Sequence, residues 1–90
     1  MSNQKNVNEL YVLRSGLNSL SVLMEKTIPF ENLTPEQDAD EQAVADKDQY
    51  YSITDPDDID YDAEWAFINA LKAKYSVLPD VEHKRKARNK

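Results

Sequence analysis

The chain of 90 residues contains no cysteine, one histidine and one glycine. Without cysteine, disulfide bonds, thiol catalysis and cysteine-based zinc sites are all excluded. The single glycine, Gly16, disfavours a protein of strands and tight hairpins, because hairpin turns usually need residues with positive φ. The apolar runs reach only about four residues, whereas a helix that spans a membrane needs ~20. We therefore expect helices, and no membrane segment.

The apolar pattern and the prolines predict three helices. Leucines spaced by three and four residues form one stripe and predict a first helix over residues 8–27. A threonine-proline pair predicts the start of an acidic second helix over residues 35–48, and an aspartate-proline pair predicts a third over residues 56–76. The aromatic residues 50–53 are interpreted as a packed connector between the second and third helices.

These elements predict an all-α fold, in which two long helices pack antiparallel or crossed beside a shorter acidic helix. The expected domains are a helical domain over residues 1–79 and a basic, flexible tail over residues 80–90. A chain this short buries only about 60 to 65% of its surface, and its first helix is apolar on more than one side. This predicts a homodimer or larger oligomer. The predicted oligomer interface is the stripe of Leu10, Leu13, Leu17, Leu20 and Met24.

Charge is distributed very unevenly along the chain. Residues 31–64 carry thirteen carboxylates against one lysine, whereas residues 83–90 carry five basic side chains and the only histidine. Blocks of this kind indicate how a protein associates rather than how it folds. No aromatic residue interleaves the basic side chains of the tail, so direct nucleic-acid binding is not expected.

No motif in the chain predicts a catalytic or metal site. The acids at positions 58, 60 and 62 have the alternating spacing that opens a calcium loop, but Ala63 and Asn69 stand where that loop needs glycine and a bidentate acid. The only histidine lies among lysines and the only glycine lies within a helix, so a base and a phosphate-binding loop are both missing. We predict a protein that is not an enzyme and that has no cofactor and no metal.

The acidic segment suggests a partner with a basic surface. If it were fully helical it would carry one carboxylate per ~4 Å, about half the linear charge density of duplex DNA. This layout resembles that of small phage-encoded DNA-mimic inhibitors in composition and charge alone, without a family motif. The resemblance implies a viral inhibitor or regulator that docks on a basic nucleic-acid-binding protein of the host. The predicted contact residues are Asp55, Asp57, Asp58, Asp60, Asp62, Glu64, Tyr50, Tyr51, Tyr61 and Trp65.

Two other functions remain open. The first is a self-assembling helical structural or adaptor module, in which the acidic middle of one chain meets the basic tail of another. The second is an oligomer that sequesters a small anionic nucleotide, with Tyr11, Arg14 and Lys26 as contacts. The polar residues 1–8 lack the apolar core of a secretory signal, so the expected location is the cytoplasm, that of the host if the protein is viral.

Overall fold

The computed structural model of the chain describes residues 4–29, 31 and 33–81, and in that part it contains three α-helices and no strand. The prediction of an all-α fold is confirmed. Most of the predicted basic tail, residues 82–90, lies outside the described residues. The elements are α1 (Gln4–Thr27), α2 (Pro35–Ile53), a single 3₁₀ turn (Pro56–Asp58) and α3 (Tyr61–Ser76).

The start of α2 agrees with the sequence and its end does not. Thr34 accepts a hydrogen bond from the Gln37 amide, while the Gln37 side chain accepts one from the Thr34 amide, which together make a capping box. The helix continues past residue 48 to Ile53, so the predicted connector over residues 50–53 is wrong. The physical reason is that Tyr51 is buried on the inner face of α2, which favours another helical turn.

The start of α3 also differs from the prediction, because the chain uses two caps instead of one. Asp55 accepts a hydrogen bond from the Asp57 amide and begins only the 3₁₀ turn. Asp60 accepts one from the Ala63 amide and begins α3. Between them Ile59 is extended and its side chain is buried, so the break in the helix contributes an apolar side chain to the core.

Helices α1 and α3, which the sequence predicted as the two long helices, run in the same direction, so they are not antiparallel. The acidic helix α2, with 19 residues, is longer than α3, with 16, so the prediction of a shorter acidic helix is wrong. At one end, the Tyr61 hydroxyl lies 2.9 Å from the Asn6 carbonyl oxygen. At the other end, the Val81 amide donates to the Lys26 carbonyl at 2.8 Å. The described part of the chain is therefore an up-down-up arrangement, in which α2 runs antiparallel to both of the others.

The core lies between the three helices, and it takes up the apolar stripe of α1. Leu13, Leu17, Leu20 and Met24 are buried within the chain and Leu10 packs against them. Most of this predicted oligomer interface is thus covered by the chain's own helices, which leaves little of it for contact with a second chain in this conformation. The remaining buried apolar residues are Ile28, Val44, Tyr51, Ile59, Ile68, Leu71 and Tyr75.

The buried face of α3 consists of its bulkier side chains. The alanines at positions 63, 66 and 70 are exposed. Ile68, Leu71 and Tyr75 are buried. Large side chains remove more apolar surface from water than alanines do, so α3 turns its bulkier residues inward.

Gly16 lets α1 and α3 approach closely at the middle of the bundle. A Cβ atom at this position would lie 2.6 Å from the Cη2 atom of Trp65 and 2.7 Å from its Cζ3 atom. Neither distance is tolerated by real carbon atoms, so a side chain here would force the Trp65 ring to move. The glycine is required by this contact and not by a turn.

Gly16→Ala is expected to lower the free energy of unfolding by about 1 kcal/mol. Overpacking costs ~1–3 kcal/mol, which outweighs the gain in helix propensity of up to ~1 kcal/mol. In a Trp65→Phe background the clash disappears, and the same change should stabilise the protein. Chemical denaturation followed by circular dichroism measures both effects. Equal stabilisation by alanine in both backgrounds would contradict this account.

Candidate binding groove and the buried carboxylates

The carboxylates of the acidic segment divide into internal and surface groups. Glu64 of α3 belongs to the internal group, with only 8% of its surface exposed. Its Oε1 atom accepts a hydrogen bond from the Tyr51 hydroxyl and lies 2.8 Å from the Lys47 ammonium, both on α2. Burial and the hydrogen bond to Glu64 raise the pKa of Tyr51. Glu64, one of the predicted partner contacts, therefore joins α2 to α3 within the chain.

A second cluster repeats this arrangement with the roles of the helices exchanged. Here the carboxylate is Asp40 of α2, and its Oδ2 atom lies 2.6 Å from both the Lys74 ammonium and the Tyr75 hydroxyl of α3. Lys74 also pairs with Glu36. Burial pushes the pKa of Asp40 up, but the hydrogen bonds from Lys74 and Tyr75 outweigh it and hold the pKa below its ordinary value. We call the two groups, Lys47–Tyr51–Glu64 and Lys74–Tyr75–Asp40, the carboxylate clusters.

The four aromatic residues predicted to anchor a partner all pack against the protein's own core. Tyr51 is fully buried, and the Trp65 ring lies against Gly16. Tyr50 and Tyr61 are partly buried against the core, and the Tyr61 hydroxyl lies 2.7 Å from the Pro56 carbonyl oxygen. Aromatic side chains bury large areas, and these helices contain few other large apolar residues. These aromatic residues therefore stabilise the fold, and little of their surface is left for contact with a partner.

The acids at positions 55–62 have several local functions. Asp55 and Asp60 are the helix caps already described, and Asp57 accepts a hydrogen bond from the Asn6 side chain. Asp58 and Asp62 are exposed. Burial and the nearby charges of Glu9, Asp57 and Asp55 raise the pKa of Tyr61, so negative charge is concentrated at this end of the bundle.

A groove of about 560 Å³ lies between the second half of α1 and the middle of α2. Core side chains form its floor, and polar side chains form its rim. The floor consists of Leu17, Met24, Ile28 and Val44, the edges of Pro29, Leu33 and Ala45, and the rim of Asn18, Ser21, Glu25, Glu41 and Asp48. We call it the α1–α2 groove.

The rim of the α1–α2 groove carries negative charge alone. Glu25, Glu41 and Asp48 line it, and none of its described lining residues is a lysine or an arginine. Within the part of the chain that the structure describes, no salt bridge involves any of these three carboxylates. An occupant with positive charge would therefore meet a complementary surface here.

The residues proposed for an anionic ligand are only partly brought together. Tyr11 and Arg14 line a second, shallower hollow with Ser15, Asn18 and Asp48. The carboxylate of Asp48 would repel an anionic ligand in this hollow. Lys26 lies twelve residues from Arg14 along α1, or ~18 Å at 1.5 Å per residue, and does not line the hollow. This arrangement does not favour a nucleotide site.

Two other kinds of site are absent from the described residues. No helix there combines the length and the apolar character needed to cross a bilayer. No three histidine, aspartate or glutamate side chains in that part of the chain are placed to hold a metal ion.

The sequence analysis missed both the carboxylate clusters and the groove. One signal for the clusters was present, since Lys47 is the only cation in residues 31–64 and α2 has few apolar residues to hold it. A polar contact for Lys47 was therefore to be expected. No pattern in the sequence predicts the groove, because the groove depends on the distance between α1 and α2.

Asp40→Asn is expected to lower the melting temperature at neutral pH, because the amide can still accept from Tyr75 but cannot pair with the Lys74 charge. The pKa of Asp40 lies below its ordinary value of 3.8, so its stabilising contribution is complete above that pH and is lost as the pH falls through the lower, folded value. The difference in melting temperature between the native protein and Asp40→Asn should therefore disappear at acid pH.

Circular dichroism melts between about pH 2 and about pH 7 test this expectation. The control is Asp46→Asn, which removes an exposed acid of α2 and should change the melting temperature little at any pH. A gap for Asp40→Asn that stays constant down to the lowest pH would show that the ion pair does not stabilise the fold.

Comparison with known proteins finds no family model, no curated protein and no solved structure that matches this chain. No residue can therefore take its role from a relative. The function has to be inferred from the geometry of the chain itself, in which the α1–α2 groove is the surface with the clearest chemical preference.

Proposed function

We propose that this protein is a non-enzymatic binding protein, a small acidic inhibitor or regulator that docks on a basic nucleic-acid-binding protein. The observation that supports the proposal is the rim of the α1–α2 groove, where Glu25, Glu41 and Asp48 surround an apolar floor. The charge of a protein surface steers association and selects partners of opposite sign. A basic partner gains both a favourable field and contacts in the groove.

Imitation of the charge spacing of DNA does not support the proposal. Glu36, Asp40 and Glu64 are engaged with lysines of the same chain, and Asp55 and Asp60 cap the 3₁₀ turn and α3. The carboxylates of residues 31–64 therefore do not form one continuous row. The proposed contact surface is therefore the groove, in place of the acids and aromatic residues predicted between positions 50 and 65.

The proposal can be tested by neutralising the groove rim. The triple variant Glu25→Gln, Glu41→Gln, Asp48→Asn removes three negative charges from exposed positions. Exposed ion pairs contribute up to ~1 kcal/mol each, so affinity for poly-L-lysine and for purified basic DNA-binding proteins should fall about tenfold or more. Binding of the native protein should also weaken between about 50 and about 200 mM salt. At low salt the native protein should displace duplex DNA from the DNA-binding proteins.

A variant of equal net charge provides the control. Asp38→Asn, Asp58→Asn, Asp62→Asn also removes three exposed carboxylates, and it includes two of the predicted contact residues. It should bind nearly as well as the native protein. If it loses affinity while the rim variant does not, the contact surface is the acidic end of the bundle and the groove is not the site.

Self-assembly is the second candidate function, and the outer face of α1 favours it. Val7, Tyr11 and Val22 share that face at helical spacing and are 40%, 75% and 44% exposed. Tyr11→Ser with Val22→Ser should then reduce the particle mass measured by light scattering to that of one chain, without unfolding α1. A native protein that already has the mass of one chain at all accessible concentrations would exclude this function.

A further inference from the structure

We propose that the α1–α2 groove seats a single amphipathic helix of the basic partner, with lysine or arginine residues seven positions apart along one edge of that helix. This inference rests on the proposed function and deepens it, since it specifies the shape and the charge pattern that the partner must have. The shape of the groove, its floor and its charged rim each support one part of the inference.

The shape of the groove fits an elongated occupant. Its lining residues on α1 run from Leu17 to Glu25, which corresponds to ~12 Å of helix. Ile28 and Pro29 continue this wall beyond the end of α1. The opposite wall is α2, which runs antiparallel to α1. Two helices side by side leave a straight furrow, and a third helix laid along such a furrow is a recurrent mode of protein recognition. The occupant would then pack on α1 and α2 as a fourth helix of the bundle.

The floor of the groove selects for an apolar face but offers little area. Leu17, Met24 and Ile28 are almost completely buried by the chain itself, so an incoming side chain touches them only at their edges. Pro29 and Leu33 are partly exposed and Ala45 is exposed, and these supply most of the apolar contact. Since apolar binding energy scales with the area removed from water, the charges on the rim must contribute a large share of the affinity.

The rim determines where those charges meet the occupant. Glu41 and Asp48 lie seven residues apart on α2, which places them on one face at ~10.5 Å. A partner helix aligned with α2 matches this distance with cations at positions i and i+7. Glu25 stands on the opposite wall and accepts a cation from the other edge of the partner helix. The pattern is thus an apolar stripe with basic residues on both sides.

The basic C-terminal segment of this chain fits the groove less well than a partner helix does. Val81, the last described residue, is held near the end of α1 by its hydrogen bond to the Lys26 carbonyl oxygen. The sequence of the segment after His83 is KRKARNK, in which alanine is the only apolar residue. It can supply positive charge but no apolar stripe.

Three synthetic peptides of identical composition test the inference. The first is an amphipathic helix with an apolar stripe flanked by lysines seven positions apart and a proline at its end. The second is a scrambled sequence without a stripe. The third is the first peptide with its terminal proline exchanged for a central residue, which breaks the helix. Fluorescence anisotropy measures their binding to the full chain at low salt. The first peptide should bind at least about tenfold more tightly than the other two, since the rim charges and the floor act together only in that register.

Two tryptophan variants localise the binding. Ala45→Trp adds a large ring at the edge of the groove, whereas Ala39→Trp adds the same ring on α2 outside the groove lining; both alanines are exposed. Ala45→Trp should weaken binding of the first peptide about tenfold or more, and Ala39→Trp should leave it unchanged. Circular dichroism confirms that both variants retain their helices.

The outcomes separate this inference from the proposed function. If basic proteins bind but the three peptides bind equally and Ala45→Trp has no effect, the helical occupant is overturned and the proposed function stands. If no basic protein, poly-L-lysine or peptide binds, both fall. If deletion of residues 83–90 strengthens binding of the first peptide more than tenfold, the segment is the native occupant of the groove and the inference is overturned.

Discussion

The two carboxylate clusters hold α2 in place, and the rest of the structure depends on them. Val44 and Tyr51 are the only buried residues of α2, so apolar area alone binds this helix weakly. In each cluster one carboxylate oxygen receives a lysine ammonium and a tyrosine hydroxyl from the opposite helix. Hydrogen bonds to charged groups are stronger than neutral ones. The exchange of roles between α2 and α3 fixes their antiparallel register at two separate points.

This division of the acids links the fold to the proposed function. Carboxylates on the α3 side of α2, such as Asp40, face lysines and stabilise the bundle. Carboxylates on the α1 side, Glu41 and Asp48, face the groove, whose described lining contains no cation. One helix therefore presents two charged surfaces with different tasks. The net charge of the acidic segment does not reveal this difference, because it counts a paired carboxylate and an exposed one equally.

Local signals in the sequence predicted three helices and the start of α2 after Thr34. Asp55, predicted to start the third helix, begins only the 3₁₀ turn. Local signals failed where long-range packing decides. The end of α2 depends on the burial of Tyr51, and the start of α3 depends on Ile59 filling the core. The stripe from Leu10 to Met24 was correctly recognised as a packing surface, but periodicity cannot say whether a surface packs within one chain or between two. The contact residues predicted between positions 50 and 65 were chosen from the density of acids and aromatic residues along the chain. Which of these side chains point outward is set only by the fold.

The most direct test of the account is to map the contact surface by amide chemical-shift changes in the ¹⁵N-labelled protein while poly-L-lysine is added at low salt. The account predicts that the changes concentrate on residues 17–29 of α1 and its following loop and on residues 41–48 of α2, and that they disappear in the rim variant. Changes centred on residues 55–62, with α1 and α2 unaffected, would contradict the claim that the free carboxylates of the groove form the binding surface.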